Sequence, residues 1–412
     1  MTSRRSLGGG GWLGLQPAVF VLAGTHFLVD GFSNIYAPLL PLLIPHLNLS
    51  LAAAGTLQMA FQIANSVAQL AFGHIADRWR PRVLLLTGPL ITIVMLTLVG
   101  LASDFWTLAV ILVIGGFGVA AFHPPAAALV HLTGGDRKGL AMSVHITGGS
   151  LGFALGPLVF APFAGAYGLG WTPLLMIPGL LILAPLLMNV PPIERLQEKH
   201  EVGGFGALRP YAKPLTLLYL IVVLRTLTAM SFSTYMPVML TRQGMSLGQA
   251  GVAAGIYLCC SSAGGFLGGP LADRWGSRLV ILWSLAASVP FLATAPLLTG
   301  WAFVAVVSAG GFLMQSTLPV NVTFAQTIAP ISAATVSSLM LGFAFGSAGI
   351  NIPFVGMLAD RIGIEHTLVA MAFAPLAAAA LAWPLPDGKF VHAPARASDV
   401  ATVEGTGTDV AD

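Results

Sequence analysis

Long apolar runs recur along this chain and restrict its fold more than any other feature. A hydrocarbon core about 30 Å thick is crossed by a helix of about 20 apolar residues, and such runs follow one another throughout the sequence. Only 8% of the 412 residues are charged, against about 25% in soluble domains. An all-α membrane protein with twelve transmembrane helices is therefore predicted. The predicted spans are 16–46, 52–76, 83–101, 105–131, 139–166, 171–190, 213–241, 248–272, 279–298, 300–328, 332–359 and 366–386.

A short charged segment between two apolar runs occurs twice. Residues 73–82 and 269–278, offset by 196 positions, share Gly, Ala, Asp, Arg, Trp and a final Arg in the same register. The same offset pairs Pro41 with Pro237. Two homologous six-helix bundles are therefore predicted, residues 1–190 and 213–386.

The charged loops predict a topology. An even number of spans places both termini on one side, and that side then carries fifteen of the eighteen Lys and Arg residues. Basic loops face the cytoplasm, so both termini are predicted there. Residues 191–212 have mixed charge and are interpreted as a cytoplasmic linker. The small, polar residues of the tail, 387–412, predict disorder.

One acid and one strong base fall near the bilayer centre within the predicted spans, Asp30 and Arg225. Charges at this depth usually face a cavity and mark function. The alternative is a structural salt bridge that locks the two halves. Counted from the span ends, His26, His123 and His145 share a depth band with Asp30. Together they are predicted to carry protons, because relays through membranes use such groups.

Polar residues in other spans predict a wet cavity wall, with hydrogen bonds between helices as the alternative. Span 2 carries Gln58, Gln62 and Asn65 on one helical stripe, whereas the candidates of the second half are less regularly spaced. The predicted substrate-binding residues are Arg225, Asn34, Tyr36, Gln58, Gln62, Asn65, Tyr257, Gln315 and Asn321.

The repeated charged segment is predicted to act as a gate. Its aspartate is suited to hold a helix N-terminus or basic groups of the other half when the cytoplasmic side is shut, although topology alone also explains charges there. The predicted gating residues are Gly73, Asp77, Arg78, Arg82, Gly269, Asp273, Arg274 and Arg278.

Glycine and proline mark the predicted packing and hinge positions. Gly152, Gly156 and Pro157 give span 5 a narrow face for close helix packing. Pro353 repeats Pro157 at the offset of 196. These four positions are interpreted as structural.

Twelve spans in two halves, with Gly-x-x-x-Asp-Arg after spans 2 and 8, resemble the major facilitator superfamily. The first copy departs from that pattern, with Arg80 and Pro81 where Gly and a basic residue are expected. Thr25 to Asp30 and Gly118 to Pro124 are similar to the fosmidomycin resistance branch. The resemblance implies a pump of the bacterial inner membrane that exports small drugs, including phosphonates, against protons. It further implies a monomer without cofactor or nucleic-acid partner.

Three alternatives remain at this stage. A proton-coupled importer of an organic anion or sugar shares every feature above, since direction depends on coupling rather than fold. A receptor or a lipid-handling protein that has lost transport keeps the fold as well. An intramembrane metalloenzyme with zinc on His26, His123 and His145 lacks any zinc-site spacing in the sequence. No enzyme is predicted.

Overall fold

The fold is almost entirely helical in the computed structural model, which describes residues 15–78, 81–191, 205–329, 336 and 339–386. No strand occurs among these residues. The helices of the first half are α1 Pro17–Ser33, α2 Tyr36–His46, α3 Leu51–Arg78, α4 Pro81–Thr97, α5 Phe105–Thr133, α6 Lys138–Tyr167 and α7 Met176–Met188.

The second half repeats this pattern with more interruptions. Short 3-10 turns, Leu169–Leu175 and Phe205–Tyr211, precede α7 and the first helix of the second half. The helices of the second half are α8 Ala212–Arg242, α9 Leu247–Trp275, α10 Ser277–Thr294, α11 Gly300–Gln315, α12 Thr317–Ile328, α13 Ala344–Ile350, α14 Ile352–Ile362, α15 Ile364–Met371 and α16 Ala374–Ala382.

Ten helical segments of the described chain are long and apolar enough to cross a membrane. These ten segments match ten of the twelve predicted spans, and the second and eleventh spans are not among them. Helix α3 has 28 residues, but its amides at Gln58, Gln62 and Asn65 lower its hydropathy. The start of the eleventh span, like the linker residues 192–204 and the tail 387–412, lies outside the described residues.

Proline interrupts spans next to their polar residues. The break between α1 and α2 lies at Asn34, four residues before Pro38, and the break between α11 and α12 follows Gln315, four residues before Pro319. Proline lacks an N–H and its ring clashes with the carbonyl four residues earlier, so a helix kinks there. Spans 1 and 10, which were predicted as continuous helices, are therefore each broken into two. The break leaves backbone N–H and C=O groups without their usual helical partners, which a membrane protein tolerates beside a cavity.

Two residues cap helices at the membrane edge. Asp104 precedes α5, and its Oδ1 accepts hydrogen bonds from the backbone nitrogens of Trp106 and Thr107, at 2.8 and 2.9 Å. Hydrogen bonds from the backbone and side chain of Thr107 hold the pKa of the Asp104 carboxyl below its usual value. Ser246 and Gln249 form a reciprocal capping box at the start of α9.

The helices alternate in direction, so the bundle has two faces. The Pro17 side is the face where α1 begins and α3 ends, and the Leu51 side is the opposite face. Large aromatic side chains are exposed near both, among them Trp106 and Trp171 on the Leu51 side and Trp275 and Trp383 on the Pro17 side. Such belts are typical of the two membrane interfaces.

Candidate functional site

The predicted charged cluster forms in the first half. His26 Nε2 lies 3.1 Å from Asp30 Oδ2, and His123 Nε2 lies 3.4 Å from Asp30 Oδ1. The His145 ring stacks on that of His26, with centroids 4.2 Å apart. The structure thus brings together all four residues predicted to carry protons.

Helix geometry and glycine explain this assembly. His26 and Asp30 are one turn apart on α1, so both face α5 and α6. Helix α6 approaches α1 through glycines: a Cβ at Gly152 would collide with the Phe27 carbonyl oxygen, and a Cβ at Gly149 with His26 Nε2 and Asp30 Oδ2. Gly149 was not among the predicted packing positions; the available signal was its place three residues before Gly152, on a neighbouring part of the same helix surface.

Asp30 and His123 open onto a cavity of about 270 Å³ between the two halves. His26 and His145 lie behind them, buried away from the cavity. Of the predicted substrate-binding residues, the cavity is lined by Arg225, Asn34, Tyr36, Gln58, Gln62, Asn65 and Gln315. The predicted wet wall of span 2 therefore faces a shared cavity.

Two predicted substrate-binding residues lie away from this cavity. Tyr257 lines a smaller space of about 10 Å³ beside Asn34 and Pro157. Asn321 is fully buried, and neither atom of its amide has a hydrogen-bond partner among the described residues. Their role in substrate binding stays a prediction.

Arg225 lies across the cavity from Asp30, 1% exposed. Its guanidinium donates hydrogen bonds to Gln315 Oε1 and, at 3.0 Å, to Thr226 Oγ1, and its centre lies 5.8 Å from the Phe345 ring centroid. No carboxylate pairs with Arg225 within the described chain. The salt bridge between Asp30 and Arg225, weighed as a structural alternative, is therefore not formed in this conformation.

Metal binding was a further alternative for the histidines. His26, Asp30 and His123 each place one ligand atom within 4.8 Å of the others. His145, predicted as a zinc ligand in that alternative, is not part of this group. Hydrogen bonds and ion pairing account for the geometry, since each Asp30 oxygen already faces one imidazole nitrogen.

The predicted gating segments lie at the Pro17 side. Gly73 packs against Pro124, and a Cβ at Gly269 would meet nothing within 4 Å. Arg82, Asp273 and Arg274 are exposed. The side chains of Asp77 and Arg78 lie outside the described part of the structure. Arg278 lies over the Trp383 ring, 5.8 Å from its centroid.

Contacts between the halves concentrate on the Leu51 side. Asp360, in α14, accepts hydrogen bonds from the backbone nitrogens of Leu51 and Ala52, both at 2.9 Å. Tyr235 donates toward the carbonyl oxygens of Leu51 and Ile352, each at 3.2 Å. A second contact between the halves joins α6 and α9, where a Cβ at Gly251 would collide with Ala161. The cavity is thus closed toward the Leu51 side.

Two helical bundles that close one side of a polar cavity at mid-depth have the architecture of a secondary transporter. The family model of the Major Facilitator Superfamily matches residues 22–340 and 218–401. The chain belongs to the Major Facilitator Superfamily and is a transporter rather than an enzyme.

Several known transporters are similar to this chain. The chain is 28% identical to the fosmidomycin resistance protein of Escherichia coli K12, over 85% of this chain and 88% of that protein. It is 29% identical to the uncharacterized MFS-type transporter YfnC of Bacillus subtilis 168, over 88% and 91%. A solved bacterial homologue of the human lysosomal transporter Spinster superposes with a TM-score of 0.72 at 18% identity, over 89% and 95%.

Proposed function

We propose that this protein exports small drugs from bacteria in exchange for protons, with phosphonates such as fosmidomycin as the first substrates to test. One observation carries the proposal. Asp30, paired with His26 and His123, lies on the wall of the cavity between the halves. Acids and histidines at this depth are typical of proton pathways. The similarity to the fosmidomycin resistance protein supports the substrate class.

The proposed cycle is alternating access in the inner membrane, by a monomer with both termini in the cytoplasm and no cofactor. In this orientation the Leu51 side is periplasmic, so the structure corresponds to a state that is closed toward the periplasm. The drug enters from the cytoplasm and binds between the halves. After the cavity opens to the periplasm, the drug leaves and Asp30 takes a proton. Asp77 and Asp273 are proposed to close the cytoplasmic side at that stage.

Substrate recognition is assigned to the cavity wall. Arg225 is buried without a carboxylate partner among the described residues, so an anionic group such as a phosphonate would neutralise its positive charge. The amides of Gln58, Gln62 and Asn65 offer further donors and acceptors. In this proposal the anion binds on the second half and the proton on the first.

A second candidate is proton-coupled import of an organic anion. It is favoured by the presence of Arg225 and Asp30 in one cavity. A proton on Asp30 removes a negative charge near the anion, so proton and anion bind more strongly together than apart. Such mutual stabilisation suits movement in the same direction.

Proteoliposomes with an imposed pH gradient and an internal pH dye distinguish the two. The assay compares wild type, Asp30→Asn and Asp104→Asn with fosmidomycin and a panel of cationic and anionic drugs. Proton movement that requires the drug, runs opposite to it and is lost only in Asp30→Asn supports efflux. Movement of protons with an organic anion supports import. No proton movement with any compound would refute proton coupling.

A further inference from the structure

Both ring nitrogens of His26 face oxygen atoms. Nδ1 lies 2.8 Å from the backbone carbonyl oxygen of His145, and Nε2 lies 3.1 Å from Asp30 Oδ2. Rotating the imidazole by half a turn would place ring carbons against both oxygens. The geometry therefore fixes which nitrogen meets which partner.

A carbonyl oxygen only accepts hydrogen bonds, so the proton of a neutral His26 belongs on Nδ1. Nε2 then carries a lone pair that points at a carboxylate oxygen. Two acceptors at 3.1 Å repel unless a proton lies between them. Either His26 is an imidazolium beside an ionised Asp30, or His26 is neutral beside a protonated Asp30.

The surrounding groups are consistent with one such proton. On α5, His123 Nε2 faces the other Asp30 oxygen and can donate to it while neutral. On α6, the His145 ring stacks on His26, and two stacked imidazolium rings would repel. Arg225 is the charged group that faces Asp30 across the cavity from α8. These groups leave one extra proton for the pair of His26 and Asp30.

We propose that the contact between His26 and Asp30 holds one proton in this conformation, and that the backbone carbonyl of His145 positions His26 to hold it. His26 is thus a positioning and proton-holding residue, while Asp30 and His123 connect the pair to the cavity. The importance of this proton for transport rests on the proposed function. The existence of the protonated pair follows from the geometry and does not rest on that function.

Release of the proton has a structural consequence. The proton passes from the pair to water in the cavity, and the lone pair of Nε2 then faces an ionised carboxylate. The repulsion turns Asp30 away from His26 and toward the cavity, where Arg225 is the available cation.

Spectroscopy tests the protonated pair without any transport. Isotope-labelled histidine NMR on the full chain in nanodiscs reports the protonation of each ring nitrogen, and the signals lost in His26→Asn identify His26. Infrared difference spectra against Asp30→Asn report whether Asp30 is protonated. We expect either an imidazolium at His26 or a protonated Asp30 with the proton of His26 on Nδ1. A neutral His26 beside an ionised Asp30 would overturn the proposal.

Two amide variants separate the roles of the two nitrogens. In His26→Asn the amide can still donate to the His145 carbonyl but does not reach Asp30. In His26→Gln the amide reaches Asp30, but only as a neutral donor. Both are expected to slow proton-coupled transport at least about tenfold, through loss of an ionic hydrogen bond, with an altered pH profile. Exposed His46→Gln is the control. A wild-type pH profile in His26→Gln would contradict the assignment.

The two failures are distinguishable. If wild type shows the protonated pair but moves no protons with any drug, the proposed function fails and the pair stands. If protons move with a drug while His26 and Asp30 lack the shared proton, the function stands and the pair fails. Gly149→Ala adds a structural check, because its Cβ would press on both side chains. Gly149→Ala should remove the NMR and infrared signals of the protonated pair. Gly139→Ala, where an added Cβ meets nothing within 4 Å, should keep them.

Discussion

The carboxylate of Asp360 caps the helix that begins at Leu51, although the two residues are 309 positions apart and belong to opposite halves. Each carboxylate oxygen accepts one backbone N–H of the first turn of α3. An anion at a helix N-terminus also interacts favourably with the helix dipole. Asp360 therefore stabilises the closed state of the Leu51 side.

Asp360→Asn should open this side more often. The amide keeps one acceptor but loses the charge and the second hydrogen bond, so the ratio of open to closed molecules should rise about two- to fivefold. Spin labels at Asn48 and His366, exposed positions of the two halves, measure the distance distribution across the seam.

Asp104→Asn is the matched control, because Asp104 caps α5 within its own half. It should leave the distances between Asn48 and His366 unchanged. An unchanged distribution in Asp360→Asn would show that the cap does not contribute to closure.

Gly152→Ala should destabilise the first half. Its Cβ would collide with the Phe27 carbonyl, so α1 and α6 must separate, at a cost of about 1–3 kcal/mol. Thermal unfolding in detergent should show a lower Tm. Gly139→Ala, also on α6 but with nothing within 4 Å, should match wild type, and equal stability of the two variants would contradict the tight seam.

The sequence predicted those parts of the site that depend on local spacing. His26 and Asp30 share one helix face, and counting residues from the span ends placed His123 and His145 at the same depth. The bond from Arg225 to Gln315 was not predicted, since it joins α8 to the end of α11 and depends on how two distant helices pack. The same is true of Gly149, which matters because α1 packs the side chains of His26 and Asp30 against it.

The duplication explains why the cap of α3 was missed. Leu51 and Leu247 are equivalent at the offset of 196, and each begins a helix that packs against the other half. At Leu247 the neighbouring end of α6 contributes Gly165 and Pro162. Ser50 and Ser246 each cap their helix from within the same half, whereas Asp360 adds a cap to α3 from the other half. Gly356, Asp360 and Arg361 follow the same Gly-x-x-x-Asp-Arg pattern, but the gate was predicted at Asp77 and Asp273. Only assembly of the halves shows that a helix N-terminus faces Asp360.

Arg225→Lys should weaken the binding of an anionic drug. Lysine keeps the charge but lacks the planar set of donors that a phosphonate or carboxylate engages in pairs, so affinity should fall about tenfold or more. Calorimetry with fosmidomycin on purified protein measures this. Arg242→Lys, at the exposed end of the same helix, should bind as wild type. Equal affinity in Arg225→Lys would assign the anion to another part of the cavity.

Tyr235→Phe should also favour opening of the Leu51 side. Its hydroxyl lies between carbonyl oxygens of Leu51 and Ile352, and a hydrogen bond of this kind contributes about 0.5–1.5 kcal/mol. The ratio of open to closed molecules should therefore rise about two- to tenfold in the same spin-label measurement. Tyr36→Phe is the control, because Tyr36 donates to Ala54 within the first half.

The double variant tests whether Tyr235 and Asp360 act as one latch. Both bind the backbone of Leu51, one at its carbonyl oxygen and the other at its nitrogen. Once either bond is lost, the start of α3 can move away, and the second bond then contributes less to closure. The combined effect of Tyr235→Phe and Asp360→Asn should fall short of the sum by about 0.5 kcal/mol or more. Strict additivity would mean that the two residues hold the seam independently.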